Sequence, residues 1–231
     1  MGTPPGTPPT AEFLRALLPA AVQVVEVTGD VGEHVPGADV DLTPVARAGP
    51  GRRAEYRTGR WCARQALDRL GVPGATSAPL PPGPHRAPSW PDGVVGSITH
   101  CTGYRAAAAA FRTGFRALGI DVTADHALPP RVLDVLLVPG ERGALTRAAV
   151  ELPGHHVDRI LFSAKESLVK AWSGRPGFRG FTGFRVELAD GVFTAHALGT
   201  QEVVRGRWGV AGGFLATCVV VPATAGPSRD R

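Results

Sequence analysis

Three short segments carry side chains whose types and spacing suit chemistry. In LFSAKESLVKAW, residues 161–172, Glu166 and Lys170 lie one helical turn apart and Lys165 stands beside them. A carboxylate and two lysines at one end of a cleft suit a metal-bound pyrophosphate: the carboxylate holds the cation and the lysines neutralise phosphate oxygens. The same spacing also describes an i,i+4 ion pair on a solvated face, worth about 0.3–0.5 kcal/mol. In LGIDVTAD, residues 118–125, Asp121 sits inside an apolar strand, where an acid is costly unless it is paired or binds a metal. Asp121 and Thr123 share one side because the strand period is two, and Asp125 follows only if the strand continues. An aspartate that caps the next element is the competing reading. In WPDGVVGSITHC, residues 90–101, the glycines allow a ligand close to the backbone, and Ser97, Thr99 and His100 bring polar groups to a strand end. Alone, that segment is equally a turn, a strand and a hydrogen-bonded histidine.

These segments need elements to hold them. The apolar pattern predicts a short helix from residues 11–18, a strand over 22–27 and a loop with a turn or two of helix over 29–50. A helix is predicted from Pro50 to Leu70, ended by Gly71, with Ala54, Trp61, Ala63, Ala66, Leu67 and Leu70 on its buried face. Along it Arg53, Arg57, Arg60 and Arg64 step by four, three and four into one basic stripe, with Arg52 near Arg60. Strands follow over 94–99, 104–111 and 115–122, although the alanines of the second favour helix. One helix or two, broken near Pro139-Gly140, occupy 129–149, and a strong helix spans 157–172. A loop rich in Gly and Phe, residues 174–183, leads to four strands over 184–188, 192–198, 203–210 and 214–221. The order predicts an α+β protein rather than a doubly wound sheet. A boundary near 112–116 divides it into residues 11–113 and 114–222, between a disordered lead at 1–10 and a disordered tail at 223–231.

At 231 residues and 43% hydrophobic, the chain can bury a substantial core. The formal charge is +5, and only Lys165 and Lys170 among its basic residues are lysines. Arginine grips phosphate through two parallel hydrogen bonds, so the balance suits a polyphosphate, an acidic protein or nucleic acid. The interleaved aromatics of a single-strand binder are absent, which weighs against nucleic acid. Cys62, Cys101 and Cys218 fit neither a zinc site nor a disulfide framework, and imply reduced thiols in the cytoplasm. No stretch approaches the roughly 20 apolar residues of a membrane span, and the opening MGTPPGTPPT lacks a signal peptide's regions.

Together GSITH, GIDV and FSAKESLVKAW resemble, in order and approximate spacing, the Sfp-type 4′-phosphopantetheinyl transferases. The runs GRRAEYRTGRWCARQALDRLGVP and WPDGVVGSITHCTGYRAA are similar to the branch serving siderophore and polyketide synthesis in enterobacteria and actinobacteria. The resemblance covers roughly residues 45–220. It implies two similar α+β halves about a pseudo-twofold axis, with coenzyme A in the cleft between them. It implies that Arg52 and Arg60 hold the adenosine 3′-phosphate and nearby phosphate, that Ser97 and His100 belong to the coenzyme A-binding GSITH strand, with His100 on phosphate, and that Arg86 lies near the adenine. Asp121 and Glu166 match two Mg²⁺ ligands, and Lys165 and Lys170 match pyrophosphate-binding lysines. The family's third ligand, a glutamate, is Thr123 here, which should weaken Mg²⁺ binding.

The implied reaction moves the 4′-phosphopantetheine arm of coenzyme A to a serine of an acyl or peptidyl carrier protein, releasing adenosine 3′,5′-bisphosphate. Asp121, Glu166 and Lys170 are its catalytic residues, with Glu166 as general base, directly or through water. The alternative is a coenzyme A-binding paralogue whose transfer is impaired by Thr123. The partner is expected to be acidic, meeting the basic stripe or apolar residues near Pro139 or in 177–184. A monomer is expected, since one chain supplies both walls of the cleft.

Overall fold

The structure, a computed structural model, describes residues 12–32, 35, 42–83, 87–175 and 178–223. The lead at 1–10 and all of the tail except residue 223 lie outside them. The first unit comprises β1 (Gln23–Thr28), α1 (Pro50–Arg69), β2 (Val94–Cys101) and β3 (Tyr104–Phe111). Its sheet has the antiparallel order β1-β3-β2. The second unit runs through β4 (Phe115–Ala124), α2 (Pro130–Leu136), α3 (Glu141–Glu151) and α4 (Val157–Trp172). It ends in the meander β5 (Phe184–Ala189), β6 (Val192–Ala197), β7 (Val203–Ala211) and β8 (Phe214–Pro222). That sheet has the order β4-β8-β7-β6-β5, with antiparallel pairing throughout. Helices and antiparallel sheets in this arrangement form an α+β fold, as the pattern of elements predicts.

The alanine run of β3 is a strand because both of its faces are covered. Ala107 and Ala109 pack toward Cys62, Ala63, Ala66 and Leu67 of α1. Ala106, Ala108 and Ala110 point the other way, against Leu118, Ile120 and Val122 of β4 and Ala216 and Cys218 of β8. Small side chains let both layers close on the strand, so tertiary packing overrides helix propensity. A third core lies under α4, where Ile160, Leu161, Ala164 and Leu168 meet Phe193, Leu215 and Val219. The layers therefore stack as α1, three strands, five strands and α4.

The two sheets meet where β2 runs beside β4. The far edge of β4 is paired with β8. On the near edge, the Ile120 amide donates to Ser97 Oγ at 3.1 Å and the Val122 amide to Thr99 Oγ1 at 2.9 Å. Ser97 and Thr99 share a face of β2, so their hydroxyls repeat at the spacing of the amides they satisfy.

Two expectations need correction. The helix expected over 11–18 is only a 3-10 turn, Arg15–Leu17. The Glu26 carboxylate accepts the Leu14 and Arg15 amides, and Leu18, which precedes Pro19, is extended. The arginines of α1 do not form a surface stripe either: Arg57, Arg60 and Arg64 are 7%, 4% and 0% exposed. Arg60 packs on the Tyr56 ring and lines a groove, and the neighbouring Thr58 accepts the Val31 amide. The segment 129–149 forms two helices, and Gly140, at φ 91°, opens the second. Among the described residues, no helix is long and apolar enough to cross a membrane.

Candidate active site

A groove with a cavity volume of about 640 Å³ opens between α1, β2 and the loop around Trp90 on one side and α4 on the other. That size suits a cofactor-sized ligand. Arg52, Arg60 and His100 line one wall, and Glu166 and Lys170 the other.

The carboxylates come together because α4 lies very close to β4. A Cβ on Gly119 would fall 1.9 Å from the Ser167 carbonyl oxygen, so only glycine permits this crossing. Two residues on, Asp121 points toward the same helix and is 7% exposed. Its Oδ1 accepts from Lys170 Nζ at 2.8 Å and Thr99 Oγ1 at 3.3 Å, and its Oδ2 from Ser163 Oγ at 2.8 Å. Lys170 Nζ also donates to the Ile120 carbonyl at 3.0 Å.

Glu166, one turn before Lys170, is half-buried, and among the described residues no hydrogen-bond donor serves its carboxylate. Burial pushes its pKa above the ordinary carboxylate value, and the negative charge of Asp121 adds to this while Lys170 opposes it. Two carboxylates are thus held near each other with one lysine between their charges. Oxygen ligands of this kind suit a hard divalent cation that retains several waters. Among the described residues no group of three or more His, Cys, Asp or Glu is placed to hold a metal.

On the facing wall, Arg52 donates to His100 Nε2 at 3.0 Å and to Glu55 Oε2 at 3.3 Å. A guanidinium only donates, so Nε2 accepts and the imidazole proton belongs on Nδ1, which faces Glu55 at 3.8 Å. Burial lowers the His100 pKa, and Arg52 lowers it further. Arg60 lies over the Tyr56 ring at 4.8 Å and is held at the groove with its flat face packed. The wall therefore presents two guanidinium groups and a neutral imidazole.

The remaining expected site residues fall elsewhere. Lys165 does not reach the groove. It is 0% exposed, and its Nζ donates to Glu141 Oε2 and the Leu136 carbonyl, both at 2.7 Å. Consecutive helical residues are about 100° apart, which turns Lys165 into the core when Glu166 faces the ligand. Ser97 lines the groove, but its oxygen accepts the Ile120 amide and so joins the sheets. Arg86 lies outside the described residues.

Several groove residues have no local signal in the sequence. Arg112, Arg116 and Arg175 line one part of it, and Arg116 and Arg175 share Glu202. Arg175 also stacks on Trp172 at 4.5 Å. Trp90 lies flat on Gly96, where a Cβ would come within 2.5 Å of its ring. The site can thus fix phosphate oxygens on its cations and offer a half-buried carboxylate to a proton.

Residues 41–110 match the family model of the 4′-phosphopantetheinyl transferase N-terminal domain, and residues 117–218 that of the 4′-phosphopantetheinyl transferase superfamily. The chain is 44% identical to 4′-phosphopantetheinyl transferase Svp of Streptomyces mobaraensis over 80% of its length and 79% of the relative's. It is 36% identical to 4′-phosphopantetheinyl transferase PptT of Mycobacterium tuberculosis over 90% of its length and 98% of the relative's. Enterobactin synthase component D of Salmonella typhi is 30% identical over 74% of this chain and 73% of its own.

Proposed function

Because the chain belongs to the 4′-phosphopantetheinyl transferase family and is a transferase of that kind, we propose that its groove takes coenzyme A and passes the 4′-phosphopantetheine arm to a serine of an acyl or peptidyl carrier domain. The observation that carries this reading is that Glu166 and Lys170, the latter bound to Asp121, stand opposite Arg52 and His100 across one groove.

In this reading Arg52 and Arg60 hold phosphate on the α1 wall, and His100 Nδ1–H or a water on it donates to a further phosphate oxygen. Asp121 and Glu166 would hold Mg²⁺, which when bound would neutralise the pyrophosphate and stabilise charge on the leaving oxygen. Lys170 supplies a second positive charge at the same oxygens. The carrier serine oxygen forms a bond to the phosphorus that bears pantetheine. The bond from that phosphorus to the bridging oxygen breaks, and adenosine 3′,5′-bisphosphate leaves with the electron pair. Glu166 accepts the serine proton, directly or through water.

One chain supplies both walls, so a monomer suffices. A second reading, a coenzyme A-binding paralogue with impaired transfer, draws on Thr123 and the absence of a third carboxylate among the described residues. Incubation of the full chain with coenzyme A, Mg²⁺ and an apo carrier domain, followed by intact-mass measurement, tests both. The transferase reading expects the carrier to gain the mass of the arm. A carrier that stays unmodified while coenzyme A binds would move the assignment to the paralogue.

A further inference from the structure

Behind Asp121 lies a pair of buried hydroxyls that the reaction does not itself require. Ser163 of α4 and Thr217 of β8 are both 0% exposed. Ser163 Oγ lies 2.8 Å from Asp121 Oδ2 and 3.0 Å from Thr217 Oγ1, and Thr217 Oγ1 lies 2.8 Å from the Ser163 carbonyl oxygen. Proton accounting sets the direction of these bonds. A carboxylate only accepts, so the Ser163 proton goes to Asp121. The one Thr217 proton is then shared between Ser163 Oγ and the Ser163 carbonyl. Each bond polarises the next, from Thr217 through Ser163 to Asp121.

We infer that Ser163, backed by Thr217, is a positioning residue that fixes the Asp121 carboxylate with Oδ2 inward and Oδ1 turned to the cation side of the groove. The inference rests on the proposed role of Asp121 as a cation ligand. Oδ1 is the oxygen that already carries Lys170. With Oδ2 anchored on α4, the carboxylate cannot rotate to turn both oxygens outward. It presents one oxygen in a set direction, as outer-shell hydrogen bonds do for metal-ligating carboxylates generally. Thr217 pairs with Asp121 across the β4–β8 ladder, so the anchor has its own fixed support. With only two carboxylates available, the direction of each matters more to a cation than in a three-carboxylate site.

The test uses the full chain and Mn²⁺ as a paramagnetic probe, titrated in the presence of saturating coenzyme A. Ser163→Ala is expected to weaken Mn²⁺ binding about 10–100-fold, with coenzyme A affinity measured without metal little changed. Thr217→Val, of nearly the same shape, should weaken it less, and Thr217→Ser should restore it. A merely structural role would lower coenzyme A affinity and thermal stability together and leave Mn²⁺ affinity in the folded fraction untouched. Wild-type Mn²⁺ affinity in both Ser163→Ala and Thr217→Val would overturn the inference and leave the cation site standing. If Ser163→Ala does not fold, Thr217→Val decides. If the wild-type chain takes up no Mn²⁺ beside coenzyme A, the cation site falls and the inference falls with it.

Discussion

Lys170 Nζ lies 2.8 Å from Asp121 Oδ1, so an ammonium group already neutralises that oxygen. The contact is one turn of α4 away from Glu166, whose own carboxylate lacks a hydrogen-bond donor among the described residues. Lys170 is thus the counter-charge of the resting site. A phosphate oxygen or a divalent cation arriving at Asp121 has to compete with it or share it.

Lys170→Gln keeps a donor on a side chain one bond shorter and removes the charge. Transfer should slow by about 10²–10³-fold in kcat/KM, through both weaker phosphate binding and a higher barrier. Steady-state kinetics with an apo carrier domain measure it. A rate equal to wild type would remove Lys170 from the reaction.

Lys165 should behave quite differently from its neighbour five residues on. Lys165→Ala leaves Glu141 buried without its partner, which should destabilise the fold by about 3–5 kcal/mol. Glu141 also accepts the Val138 and Val186 amides, so the start of α3 and the start of β5 loosen together. The double change Lys165→Met with Glu141→Leu should recover part of the loss. Urea unfolding reads the stability. The KM for coenzyme A of folded Lys165→Met/Glu141→Leu should stay close to wild type, whereas a ligand-binding lysine would raise it.

Glu166 supplies a pH test. Its folded-state pKa is raised, chiefly by burial. Between the ordinary glutamate value and the raised one, the folded protein binds more protons than the unfolded chain, so stability falls as pH rises through that window. Glu166→Gln removes this penalty. With chelator present, the variant should unfold at a higher temperature than wild type at neutral pH and at the same temperature once both are protonated in acid. Its transfer activity should drop by orders of magnitude at every pH. A variant less stable than wild type at neutral pH would contradict the assigned burial effect.

Thr123→Glu adds a carboxylate two residues along β4 from Asp121. If two ligands limit cation affinity, the Mg²⁺ concentration for half-maximal transfer should fall about tenfold. An unchanged requirement would mean that Thr123, water or Asp125 already completes the shell. Asp121→Ala on the same assay should cut turnover by orders of magnitude while far-UV circular dichroism stays native.

Much of this arrangement is readable from local pattern. The period of β4 puts Asp121 on one defined side, and the i,i+4 spacing puts Glu166 and Lys170 on another, so that folding needs only to bring the two together. Gly119 is where the sequence marks their meeting, although only the packed helix shows that its missing side chain is the reason. Lys165 misleads because adjacency in sequence is not adjacency on a helix face. The arginines of α1 mislead for another reason. A charged run normally faces water, and here three of them are buried by the packing of the first unit. Ser97 announces a polar group at a strand end but not which neighbour uses it, since its acceptor role depends on β4 lying alongside. Arg112, Arg116 and Arg175 come from two hinges far apart in the chain, and nothing in their spacing gathers them.

The seam between β2 and β4 has a consequence for how the enzyme responds to its ligands. Two side-chain hydroxyls act as locking pins between the sheets, and one of them, Thr99, also touches Asp121. Asp121 and the sheet joint thus share one hydroxyl, so a change at Thr99 reaches the candidate site and the seam together.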